Sequence, residues 1–121
     1  MKLLPVEWSE SFATSVAIAL GSDTRLIYEQ VKSGACQCWI FTCDGQTIGH
    51  AVTRLETDTL CVVAYEGLNV QAFADYIIRV AVAKNLPYAR FHTHRPGLIK
   101  LLAEFKPEPL EYVMRIKCYG R

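Results

Sequence analysis

The sequence has 121 residues, 51% of them hydrophobic and 21% charged. This length suits one domain, 1–121, large enough to bury its own core, and the composition excludes an intrinsically disordered chain. A net charge of +1 without a concentrated basic patch gives no electrostatic case for nucleic acid, whose backbone is neutralised by clustered Lys and Arg.

The opening residues, Met1 to Trp8, hold too short an apolar run for a signal peptide, and no stretch approaches the roughly 20 apolar residues of a membrane span. A cytoplasmic location without a membrane partner is therefore expected. There are five cysteines, Cys36, Cys38, Cys43, Cys61 and Cys118, and an odd number without a secretion signal reads as reduced thiols.

In chain order, residues 2–6 predict a short strand, which Pro5 confines to an edge or an end. Trp8, Phe12, Val16 and Leu20 recur every fourth residue, so a helix is predicted over 7–20, stopped by Gly21. Asp23 or Thr24 caps a second helix to Lys32, with Leu26, Ile27 and Val31 inward. Cys36–Cys43 is rich in strand formers, Asp44-Gly45 is a hairpin turn, and Thr47–Leu55 is the return strand. A further turn at 56–58 leads to a third strand, Thr59–Glu66, making an antiparallel meander.

Gly67 interrupts the pattern, and Asn69 caps a long helix, Val70–Lys84, whose inner face is Phe73, Ile77, Val80 and Ala81. Tyr88–Thr93 is the next strand. Pro96 opens a helix to Phe105, and Leu110–Cys118 is a last strand with alternating character. The order β-α-α-β-β-β-α-β-α-β contains a right-handed β-α-β crossover. An α/β (α+β) fold with a mixed sheet follows. Trp39-Ile40-Phe41 is apolar on both faces and demands cover on both sides, from helices or a partner subunit.

Other clusters carry less chemistry. His92-x-His94 puts two imidazoles on one strand face, with His50 on another strand, and Cys36-x-Cys38 pairs two sulfurs. A zinc site needs three or four ligands, and the chain has no CxxC pair or matching second half, so no metal is expected. The cysteines sit in apolar strands, which reads as inert core rather than nucleophile.

The element order resembles that of the GNAT superfamily, the acyl-CoA-dependent N-acyltransferases, over nearly the whole chain. The segment Phe91-His92-Thr93-His94-Arg95-Pro96-Gly97-Leu98 is most similar to small phage or prophage GNAT-like proteins. The resemblance implies that the strand before the long helix splays from the strand after it, here 59–66 from 88–93. It implies that acetyl-CoA, or another acyl-CoA, lays its arm in that gap and its pyrophosphate on the helix N-terminus, where amides and the dipole favour anions. The cofactor-binding residues so implied are Ala64, Gly67, Leu68, Asn69 and Gln71.

Transfer to an amine also requires a base, directly or through water. Glu66 and His92 have suitable chemistry near the split, and Tyr65 or Tyr112 can supply the acid that protonates the leaving thiolate. The family's phosphate loop, Arg/Gln-x-x-Gly-x-Gly/Ala, is met only by Gly67, and no Arg or Lys lies between Arg54 and Arg79. On the last helix, Leu102 stands where the family carries its Tyr, Arg95 where it carries Asn, Leu98 where it carries Ala, and Lys106-Pro107 where it carries Gly-Phe. Two readings stand at this point. One is an N-acyltransferase acting on an amine of unspecified identity. The other is a catalytically inactive GNAT-like phage or prophage accessory, virion or interaction protein, found in a host cytoplasm or virion and able to pair as a homodimer.

Overall fold

The computed structural model describes residues 1–93, 97–110, 114, 116 and 118. Strand β1 (Lys2–Val6) is followed by helix α1 (Glu10–Leu20), a 3-10 turn (Gly21–Asp23) and helix α2 (Thr24–Lys32). Strands β2 (Cys36–Cys43), β3 (Gln46–Leu55) and β4 (Thr59–Gly67) form the meander. Helix α3 (Val70–Ala83), strand β5 (Tyr88–Phe91), helix α4 (Leu98–Leu101) and a 3-10 turn (Ala103–Phe105) complete the described elements. The five strands lie in the order β1-β2-β3-β4-β5, antiparallel except for the parallel β4–β5 pair. The sheet is mixed, as the element order predicts.

Local chemistry accounts for the boundaries. The edge position of β1 suits Pro5, which has no backbone N–H to donate to a ladder. Asp44 and Gly45 both have positive φ, 51° and 79°, as a two-residue hairpin loop requires. Helix α1 starts at Glu10 rather than at Glu7, because the Ser9 hydroxyl accepts a hydrogen bond from the Phe12 amide and caps the helix there. Trp8 is released from the helix and packs its ring against Phe12 and Tyr28. In α2 only Ile27 is buried, with Val31 half-buried one turn on. Leu26, expected inward, is 57% exposed, since it stands about 100° around the helix from Ile27.

The sheet is covered on both faces by helices of the same chain, which meets the demand of Trp39-Ile40-Phe41. On one face, Phe12, Val16, Leu20 and Ile27 of α1 and α2 pack on Cys36, Cys38, Val52 and Ala64. On the other, Phe73, Ile77 and Ala81 of α3 pack on Phe41, Ala51, Leu60 and Val62. Val80, expected on that inner face, is half-buried at its margin. Phe41 and Phe73 meet edge to face at 5.8 Å and are fully buried. Burying an aromatic or aliphatic side chain of this size stabilises the fold by roughly 1.5–3 kcal/mol.

Three expectations fail or fall outside. β5 ends at Phe91 rather than Thr93. The last helix is one turn of α, Leu98–Leu101, followed by 3-10 geometry, and Lys106 ends it with φ 52°. The predicted last strand, 110–118, lies mostly outside the described residues, and it is not seen at Leu110, Met114, Ile116 or Cys118.

Candidate functional site

The parallel β4–β5 ladder runs from Thr59↔Tyr88 to Val62↔Phe91, and a last hydrogen bond joins the His92 amide to the Val62 carbonyl at 3.0 Å. The ladder's last register pair is Val62↔Phe91, and a β-bulge in β4 follows it directly. Val52 pairs with Ala64 but Thr53 with Val62, so Val63 is an extra residue in β4. A bulge bends and twists the strand that carries it. It sits where β4 and β5 part, which is also why β5 stops early.

The bulge resets which side chains share a face. Simple alternation would put Val62 and Glu66 together. Instead Leu60, Val62 and Tyr65 belong to the α3 face, while Ala64 packs with α1 and α2. Alternation resumed after Tyr65 places Glu66 on the α1 face. There it stands directly opposite His50 of β3, whose ring meets Phe12 edge-on at 5.6 Å. His92 follows Arg90 by two residues and so also lies on the α1 side, exposed at the end of β5. The two proposed bases, Glu66 and His92, thus flank the split on one face, and His50 joins them. Burial lowers the His50 pKa from its ordinary value, which favours the neutral imidazole.

Tyr65 is placed differently. It lies on the opposite face, stacked on Phe73 at 3.9 Å and 11°, and its hydroxyl donates to the Leu68 carbonyl at 2.6 Å. Burial pushes its pKa up to about 12. With its proton committed to Leu68, the residue holds the loop after β4 rather than standing beside Glu66. The ring also needs glycine beneath it: a Cβ on Gly49 would enter the Tyr65 ring, and a Cβ on Gly67 would run into the Gly49 backbone and the Ile48 carbonyl oxygen. Gly49 and Gly67 are register partners, and the Leu68 amide donates to the Ile48 carbonyl at 2.8 Å.

That loop delivers the N-terminus of α3. Asn69 has left-handed geometry, φ 54°, and its side chain accepts from the Ala72 amide at 3.3 Å, so it caps the helix as expected. Among the described residues, the Val70 and Gln71 amides have no recorded acceptor. Leu68 and Gln71 are exposed, and the first turn carries no acidic residue. A 14-residue helix concentrates partial positive charge at these amides. A pyrophosphate group placed there would meet backbone donors without a cationic side chain, and an acyl-pantetheine arm would lie along the half of β4 that follows the bulge. The residues present fit acyl-CoA in that backbone-only sense. Ala64, expected in the cofactor site, is covered as a whole residue at 1% exposure, and the exposed part of the predicted set is Gly67, Leu68, Asn69 and Gln71.

Leu102, at the position of the family's acid, is 5% exposed and has no proton to give, and Leu98 is half-buried. Arg95, His94 and Tyr112 lie outside the described residues. Among those described, no group of three or more His, Cys, Asp or Glu could hold a metal ion, and no helix is long and apolar enough to cross a membrane.

The other end of β4 is fastened. Glu56 Oε1 accepts from Arg54 at 3.2 Å and from Arg90 of β5 at 2.6 Å, so one carboxylate ties β3 to β5 across β4. Arg54 also reaches Gln30 of α2 at 3.2 Å, and Arg90 lies 3.8 Å from the Cys61 sulfur. Burial raises the pKa of Cys36, Cys61 and Cys38, the last to about 11, whereas Cys43 is half-buried and Cys118, expected in an apolar strand, is exposed.

Sequence reasoning missed three features of this site: the bulge at Val63, the Gly49–Gly67 contact, and His50, which was weighed only as a third metal ligand. Paired glycines at the ends of adjacent strands were the one available signal.

No protein-family model and no curated protein matches the sequence. Solved structures do match its fold. A ribosomal-protein-alanine N-acetyltransferase from Brucella melitensis superposes with a TM-score of 0.59 at 14% identity, over 96% of this chain and 100% of the other. An IAA acetyltransferase from Bacillus cereus gives 0.63 at 12% identity, over 87% and 73%. An aminoglycoside N-acetyltransferase in complex with CoA gives 0.62 at 14% identity, over 97% and 100%. The architecture is that of the GNAT acetyltransferases.

Proposed function

We propose that this chain is a GNAT-type N-acyltransferase that moves an acyl group from acetyl-CoA or another acyl-CoA to an amine. The observation that carries the reading is the exposed turn from Gly67 to Gln71, which delivers the N-terminus of α3. It follows the half of β4 that lies past the Val63 bulge and past the last β4–β5 register pair. Bound there, acyl-CoA supplies an activated thioester carbonyl. The chain's own part is positional. The half of β4 past the bulge orients the acyl arm, the Val70 and Gln71 amides receive phosphate oxygens, and Tyr65, Gly49 and Gly67 hold the loop in place. Glu66 and His92, on the α1 side of the split, take the proton that the attacking amine must lose. Glu66 and His92 are the candidate bases, Tyr65 is a positioning residue, and Gly67, Leu68, Asn69 and Gln71 form the cofactor loop.

The absence of a side-chain acid at buried Leu102 favours a second reading, a catalytically inactive domain with an accessory or interaction role, as a homodimer or in a phage particle. Titration calorimetry with acetyl-CoA and longer acyl-CoAs, followed by thiol release in the presence of primary amines, separates the two. Binding with release supports the transferase, and binding without release supports the second reading. No heat with any acyl-CoA at millimolar concentration defeats the transferase.

A further inference from the structure

We propose that His50 is the residue that accepts the proton from the acylated amine, with Glu66, directly across the β3–β4 pair, as the counter-charge for the imidazolium that forms. This rests on the transferase reading and deepens it by moving the base from Glu66 or His92 to His50. In an antiparallel pair, opposed residues carry their Cβ atoms about 4.5–5.5 Å apart, so His50 and Glu66 share one patch of the α1 face at the open end of β4. The edge contact with Phe12 covers part of the ring, and His50 is half-buried.

Among the described residues, its neighbours on β2, α1 and α2 are mostly uncharged. From β2 it is opposed by Ile40, with the buried Cys38 thiol on the diagonal. From α1 it meets Phe12, and the Glu10 carboxyl lies exposed in the helix's first turn. From α2 the nearest ring in the aromatic file is Tyr28, reached through Trp8 and Phe12. From β4 the ionisable neighbour is Glu66, and His92 stands beyond it on β5.

In the step proposed, the amine nitrogen bonds to the thioester carbonyl carbon. The carbon–sulfur bond breaks, and sulfur leaves with the bonding pair and takes a proton from solvent. The surplus proton on nitrogen passes to His50 and from there to water. A neutral imidazole whose protonation midpoint falls near or below neutrality suits this role, because it is unprotonated when the amine arrives. The lowered affinity of His50 for protons agrees with that.

The test has two arms, both on the full chain. First, the His50 imidazole is titrated by NMR in wild type, Glu66→Gln and Glu66→Asp. The proposal expects a midpoint below the ordinary histidine value, a further fall in Glu66→Gln, and partial recovery in Glu66→Asp. A midpoint that Glu66→Gln leaves unmoved overturns the pairing. Second, thiol release from acetyl-CoA is followed against pH with lysine, a polyamine and an aminoglycoside as probes. The rate should rise through the His50 midpoint, and His50→Gln should remove that inflection and lower kcat by about a hundredfold, with the KM for acetyl-CoA kept. An inflection that survives in His50→Gln, or acetyl-CoA binding without thiol release in wild type, overturns His50 as base while leaving the cofactor site standing. Absence of acetyl-CoA binding overturns the transferase reading itself.

Discussion

The two halves of β4 face the same neighbouring strand with opposite outcomes. From Thr59 to Val62 the strand is paired on both edges and bracketed by side chains: Glu56 links Arg54 to Arg90, and the Tyr88 amide reaches the Asp58 carbonyl at 3.3 Å. From Ala64 to Gly67 it stays paired with β3, past the last register pair with β5. Its support there comes from packing, with Tyr65 stacked on Phe73 and lodged over two glycines. A sheet that must open for a ligand can do so only where something else supplies rigidity. Here an ionic clamp holds the closed end, and aromatic packing holds the open one.

The largest effect is expected from the packing at the open end. Phe73→Ala removes the buried ring beneath Tyr65 and Phe41 and should destabilise the protein by about 3–5 kcal/mol in urea denaturation. Gly67→Ala should cost about 1–3 kcal/mol, since the clash is with backbone, and it should also weaken acyl-CoA binding by displacing the loop. If Gly67→Ala proves neutral in both respects, the glycine contact does not hold this end.

At the closed end, Glu56→Gln leaves two guanidiniums without their shared carboxylate. The groups are about one-third exposed, so a loss of only about 1 kcal/mol is expected. The sharper readout is hydrogen exchange. Amides of Ala89 to Phe91 should exchange faster in Glu56→Gln, while those of β3 against β4 near Ala51 should not change.

The smallest effect belongs to the Tyr65 hydroxyl. Tyr65→Phe loses one hydrogen bond, about 0.5–1.5 kcal/mol at neutral pH. Its pH dependence has a definite sign. The folded-state pKa, about 12, is raised above the unfolded value of about 10, so this contribution is full below the unfolded value and is lost as pH rises through the folded one. Wild type and Tyr65→Phe should therefore converge in stability across that alkaline window, which denaturation at stepped pH will show.

Much of the scaffold was legible in the sequence. Asp44-Gly45 fixed the first hairpin, Asn69 the start of α3, and Pro5 an edge strand, because each carries a local backbone constraint that tertiary context did not override. The β4–β5 divergence followed only from a resemblance of element order. Its physical cause, the bulge at Val63, was not legible, since Thr-Leu-Cys-Val-Val-Ala-Tyr-Glu is strand-forming throughout and nothing in it marks the extra residue. For the same reason Tyr65 and Glu66 were grouped as neighbours in one site, and His50 was read only as a metal ligand. A register slip of one residue moves side chains to the other face, and register is a property of two strands rather than one.

The central claim is that acyl-CoA lies along the open half of β4 and ends on α3. It is tested most directly by adding acetyl-CoA to isotope-labelled protein and following the backbone amide resonances. The account predicts saturable shifts concentrated from Val63 to Ala72, with Thr59 to Val62 and the Arg90 clamp nearly still. Shifts centred on the clamped end, or no shift at millimolar acetyl-CoA, would contradict it.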